Sequence, residues 1–132
     1  MKQILTTKAS ITIQGDLDPD EISRKLAIAP TYTHRAGESD RFGEVLRSNM
    51  WLLKSDLGND KPLEQHVQSL FDKLRDKMPA IEMLRASCKL DLFCSVTTTG
   101  QGGFSLTPNV LLNFSEHGFT LEVSIVAIDG DD

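Results

Sequence analysis

Four stretches of the chain alternate apolar and polar residues at period two, and three others repeat apolar residues every three or four positions. In residues 4–14, Leu5, Ala9, Ile11 and Ile13 share one parity, while Ser10, Thr12 and Gln14 take the other. That pattern predicts a half-buried strand, ended by Gly15. Met50 to Ser55 reads as a short apolar strand carrying Trp51, the only tryptophan. Cys88 to Val96 is the clearest strand, with Cys88, Leu90, Leu92, Cys94 and Val96 in register. Phe119 to Ile128 closes the series, with Phe119, Leu121, Val123 and Ile125 on one face. A long helix is expected from Pro62 to Lys77, because Leu63, Val67, Leu70, Phe71 and Leu74 form a core-facing stripe. Pro79 interrupts it, and a further turn carries Ile81 and Leu84.

The two remaining helices open alike. Leu17-Asp18-Pro19-Asp20 and Leu106-Thr107-Pro108-Asn109 each place a capping residue before a proline. Asp18 and Thr107 can accept from free N–H groups of a first turn, and a proline at the first helical position loses nothing by lacking its own. Leu17 with Ile22, and Leu106 with Leu111, have hydrophobic-staple spacing. Glu21 completes a capping box in the first copy, and Val110 breaks it in the second. These helices are expected over Pro19 to Ala27 and Pro108 to Glu116, the second followed by Gly118 as a C′ residue.

Between the first helix and Trp51 lies a polar stretch, residues 31–48, unusually long for a compact domain. Thr97 to Gly103 reads as a loop leading to a short hairpin partner at Phe104 to Leu106. Alternating parity leaves one sheet face wet, which predicts antiparallel or mixed pairing. The expected fold is α+β: a two-layer sandwich, its mostly antiparallel sheet of four to five strands covered by helices on one face. A ferredoxin-like topology with an added central helix is expected. Residues 1–128 are read as a single domain and 129–132 as a disordered acidic tail.

Composition narrows the functional classes. The chain has 132 residues, 39% hydrophobic and 25% charged, with a formal net charge of −5. No apolar run reaches membrane-spanning length and the N-terminus has no apolar signal core, so a cytoplasmic protein without a membrane partner is expected. The negative charge argues against nucleic acid, which usually meets a basic face. Acidity suits association with a basic protein partner. Cys88 and Cys94 lie six residues apart on one strand, too far to bridge, and read as small core residues.

Candidate chemistry is sparse. Asp16 to Glu21 resembles the start of a calcium loop, but its sixth and twelfth positions are Glu21 and Ala27. Gly100-Gln101-Gly102-Gly103 lacks the lysine of a Walker loop, for no lysine follows Lys89. His34, His66 and His117 share no ligand spacing. His117 reads as structural, at a helix end where its charge is favoured, and His66 as a partly exposed flank of the long helix. No nucleophile elbow or zinc-protease motif occurs. No cofactor, metal or catalytic residue is therefore expected. The best candidate is the 31–48 loop, with His34, Arg35, Glu38, Arg41 and Trp51 as binding residues, since Trp and Arg are favoured anchors. The competing reading makes the loop a solvated surface and Trp51 core.

The run Gly15-Asp16-Leu17-Asp18-Pro19-Asp20-Glu21-Ile22, then Leu26, Pro30-Thr31, Gly37-Glu38 and Trp51, resembles the bacterial domain-of-unknown-function 4279 family. The acidic helix after Pro62, Phe104-Ser105-Leu106-Thr107-Pro108, and Gly118 before the last strand extend the likeness over nearly the whole chain. Where the family ends in a strand with a tyrosine, this chain has Ile125 to Ile128. The resemblance implies a small α+β domain and carries no activity, so it transfers no catalytic residue.

Three functional readings follow. The first is a non-catalytic protein-binding domain, in its sharper form an immunity or inhibitor protein for a basic partner, by analogy with small acidic bacterial domains. The second is a small-molecule binder or enzyme taking an anionic ligand between the 31–48 loop and Gly100 to Gly103, with His34, Arg35 and Arg41 as contacts. The third is a homodimer joining exposed sheet edges.

Overall fold

A computed structural model describes residues 3–99 and 104–128. The strands are β1 (Gln3–Gly15), β2 (Tyr32–His34), β3 (Asn49–Lys54), β4 (Cys88–Thr99) and β5 (Thr120–Ile128). The helices are α1 (Pro19–Leu26), α2 (Leu63–Leu74), α3 (Met78–Arg85) and α4 (Pro108–Ser115), with a 3-10 turn at Arg75–Lys77 before α3. The fold is α+β. Five strands form one mixed sheet in the order β2-β3-β1-β4-β5. All pairs are antiparallel except β4 with β5, which run parallel. This order puts the first strand at the centre, antiparallel to both neighbours, and the ferredoxin-like arrangement is not confirmed.

Parity decides which face is covered. Ala9, Ile11 and Ile13 of β1, Trp51 and Leu53 of β3, and Leu90, Leu92, Cys94 and Val96 of β4 point to the helices. They join Ile22, Leu26, Leu63, Val67, Leu70, Ile81, Leu84 and Phe114 in one buried cluster. Phe114 stacks edge-on against Phe71 and Phe119 at 5.9 and 5.2 Å. The indole N–H of Trp51 donates to Ser23 Oγ at 3.0 Å, so the one polar atom of a fully buried ring is satisfied.

Several expectations are corrected. The polar stretch contains strand β2, which pairs with β3. Phe104 to Leu106 forms no strand; β4 instead reaches β5 through α4, and this crossover permits the parallel pair. The strand reading of residues 119–128 holds for Thr120 to Ile128, but Leu121, Val123 and Ile125 are exposed. They follow the inward parity of Leu92, Cys94 and Val96, yet the helical layer does not extend over this edge strand. Pro79 falls in the first turn of α3, where a missing N–H costs nothing. The twin helix starts differ: Asp18 Oδ1 accepts from Asp20 N at 2.8 Å, whereas Thr107 makes no side-chain cap bond. Glu21, expected to close a capping box, lies 3.9 Å from Lys25. Gly100 to Gly103 and the tail at 129–132 lie outside the described residues.

Candidate functional site

The five residues singled out around the 31–48 loop take different places in the structure. Trp51 is core. Arg35 spans from the loop to α1, its guanidinium 3.0 Å from both Asp18 Oδ1 and Asp20 Oδ2. The Asp20 N–H and this guanidinium hold the Asp18 carboxyl below the usual carboxylate range. Glu38 accepts from the backbone N–H of Arg35, fixing the turn. Arg41 lies over the ring of Phe42, 4.8 Å from its centroid. Residues 37–46 fold back on themselves: Gly37 N donates to Leu46 O and Leu46 N to Glu38 O, both at 2.8 Å. Asp40 Oδ1 accepts from Phe42 N and Glu44 N at the tip. His34 is buried beside Tyr32, and its Nδ1 has no hydrogen-bond partner among the described residues. Arg35 and Arg41 are thus engaged locally, and His34 and Trp51 are buried.

A recess lies elsewhere, on the sheet face away from the helices. Its origin is a mismatch of strand lengths. β1 has 13 residues and β3 only six, so β3 stops at the Lys54–Ser10 pair. Beyond it the chain loops across β1 to reach α2. Ser55 N donates to Ala9 O at 3.0 Å, and Thr7 N to Asn59 O at 2.9 Å. The loop therefore follows β1 without completing the sheet, and a recess of about 480 Å³ remains. Lys8, Ser10, Lys54 and Ser55 supply polar groups, and Leu52 and Phe93 supply apolar wall. Among the described residues no carboxylate lines it, and neither lysine has an ion-pair partner.

His66 closes the inner end. It is 1% exposed, which corrects the expectation of an exposed flank. The position is three residues after Leu63 and four before Leu70, so it belongs to the buried stripe of α2. Its Nδ1 is hydrogen-bonded to Ser55 Oγ, while Nε2 has no partner among the described residues. Burial lowers its pKa below the ordinary histidine value, opposed in part by the Gly58 carbonyl and the charge of Asp60. The imidazole is accordingly held neutral, with hydrogen-bonding capacity to spare.

Chemically, the recess offers two unpaired ammonium groups, several hydroxyls and an apolar wall. It can hold an anion with a short apolar body. Among the described residues no carboxylate hydrogen-bonds to the His66 ring. Among the described residues no three His, Cys, Asp or Glu side chains gather as a metal set. Nor is any described helix long and apolar enough to cross a membrane.

The family described as Domain of unknown function (DUF4279) matches residues 5–127. The chain belongs to this family. No curated protein and no solved structure matches the chain. In this DUF4279 domain, several residues that resemble the family serve the scaffold. Asp18 caps α1 and holds Arg35, Leu17 packs against the core, and Trp51 fills its centre. Gly118 adopts a φ of +81°, and a Cβ there would meet Arg85. The recess residues Lys8, Lys54 and Ser55 fall outside the runs that carried the resemblance, and His66 lies on the helix after Pro62 that extended it. The sequence held two signals for them: Lys8 and Lys54 sit at the outward parity of their strands, and His66 keeps the helical spacing of the stripe.

Proposed function

We propose that the chain is a non-catalytic binding domain whose ligand is a small anion with an apolar tail, seated between Lys8 and Lys54. The observation that carries this reading is a concave site lined by two unpaired cations and no carboxylate, in a chain of net charge −5. An acidic protein that keeps one local positive recess can attract an anion there against its own mean field. Leu52 and Phe93 favour a tail over a bare inorganic ion. Octanoate, hexanoate and inorganic phosphate are suitable probes. Octanoate should raise the melting temperature saturably, because a ligand that binds only the folded state stabilises it by about 1.4 kcal/mol at roughly ten times its Kd. Lys8→Gln with Lys54→Gln should abolish the shift while leaving the unliganded melting temperature close to wild type. An equal shift in wild type and the double variant contradicts the reading.

Self-association is a second reading, favoured by β5. This edge strand of nine residues exposes Val123, Ile125, Val126 and Ile128, with Glu122 its only charge. Natural edges usually carry bulges, prolines or lysines against pairing. Antiparallel pairing of two copies about Ser124 would set Val123 opposite Ile125, which is self-complementary. Light scattering should then report a dimer that Ile125→Lys converts to monomer. A monomeric wild type at high concentration contradicts it.

A further inference from the structure

We propose that the lysine-lined recess is one end of a longer trough, and that the bound molecule carries a positive group, an amine, at its other end. This rests on the anion reading above. A second recess of about 420 Å³ lies on the same sheet face and shares Ser10, Leu52 and Phe93 with the first. The trough follows from side-chain size. β1 presents Ser10, Thr12 and Gln14 outward at the centre, and its neighbours present Leu52 and Phe93 as banks. Ser10 and Thr12, small between Leu52 and Phe93, leave a channel along β1 that ends where Gln14 reaches Met50.

The chemistry changes sign along this channel. Lys54 pairs with Ser10, Ser10 with Phe93, and Asp91 lies two residues from Phe93 on the same face. Two strand spacings and two residues place Lys54 and Asp91 about 12 Å apart between Cα atoms. Asp91 is 6% exposed, and its Oδ1 has no hydrogen-bond partner among the described residues. Its Oδ2 lies 3.8 Å from Lys89 Nζ. Burial raises its pKa and the charge of Glu122 on β5 adds to this, while Lys89 opposes them. A buried carboxyl oxygen without a donor is costly, and most such oxygens in folded proteins are paired. An ammonium in the trough would donate to Oδ1, offset the charge of Glu122 and favour the ionised form. The apolar body between the two charged ends would lie on Leu52 and Phe93. The chemical class is therefore an ω-amino carboxylate, or a phosphate with a distant amine.

Isothermal titration of the full chain with octanoate, octylamine and the ω-amino acid of the same chain length tests this. The ω-amino acid should bind about tenfold more tightly than octanoate, the gain of one charge-assisted hydrogen bond. Asp91→Asn should erase that margin and leave octanoate binding unchanged. Lys54→Gln should weaken both ligands. If Asp91→Asn does not fold, Glu122→Gln on the rim should narrow the same margin. Octanoate binding as tightly as the ω-amino acid overturns the inference and leaves the anion reading intact. A margin unchanged in both carboxyl variants overturns it as well. Absence of binding by any of the three probes overturns both.

Discussion

Ser55 Oγ and His66 Nδ1 are hydrogen-bonded across the gap between the end of β3 and the first turns of α2, and this contact forms the inner wall of the recess. It ties the loop that replaces the missing length of β3 to the helix that covers the other face of the sheet. His66 is buried at this contact, and burial lowers its pKa.

Burial lowers the His66 pKa from its ordinary value of 6.5. The unfolded chain therefore binds this proton more readily than the folded one. The stability that neutral His66 preserves is complete above pH 6.5 and declines as pH falls below it, until the folded pKa is passed. Urea titrations across this window should show wild type weakening toward acid and His66→Gln with a flatter profile. The same slope in both proteins would exclude His66 as the cause.

The Asp18 contribution is likewise lost toward acid, at lower pH. Its folded pKa lies below 3.8 through the Asp20 N–H and Arg35. Its contribution is present above that value and is lost as pH falls through the folded pKa. Asp18→Ala should lower the melting temperature at neutral pH more than Arg35→Ala does. The first removes a helix cap, the second an exposed ion pair that solvent screens. Equal losses would mean the pair, and not the cap, matters.

The buried Trp51 indole donates to Ser23 at the edge of the core. Ser23→Ala leaves the indole N–H without an acceptor and should cost about 1–2 kcal/mol in chemical denaturation. Trp51→Ala opens a large cavity and should cost roughly 3–5 kcal/mol. A Ser23→Ala variant as stable as wild type would show that the indole finds another partner.

The two thiols should separate by reactivity. Burial pushes the Cys94 thiol up to about 11, whereas Cys88 is half-buried at the start of β4. One equivalent of a thiol reagent should react promptly with the native protein, at Cys88, and the second only on unfolding. Prompt reaction of both thiols would contradict the packing of β4.

Much of the scaffold was legible because burial imposes parity. Ile11, Ile13, Leu90 and Leu92 advertise their strands, and Leu63 to Leu74 advertise α2. Exposure of β5 was not legible. Leu121, Val123 and Ile125 keep the inward parity of a covered strand, and the reach of the helical layer depends on tertiary packing that periodicity does not encode. The recess was hidden for a related reason: it exists because six-residue β3 lies beside thirteen-residue β1, a relation between strands and not within one. The 31–48 loop drew notice through its charges. Arg35 and Glu38 turned out to hold the chain in place, since local polar contacts satisfy charged side chains as readily as ligands do.

An NMR titration of the uniformly labelled chain with octanoate tests the central claim most directly. The account predicts saturable shifts clustered at Lys8, Ser10, Lys54, Ser55 and the His66 ring, with residues 35–46 unmoved. Shifts centred on Arg35 to Arg41, or none that saturate, would contradict it.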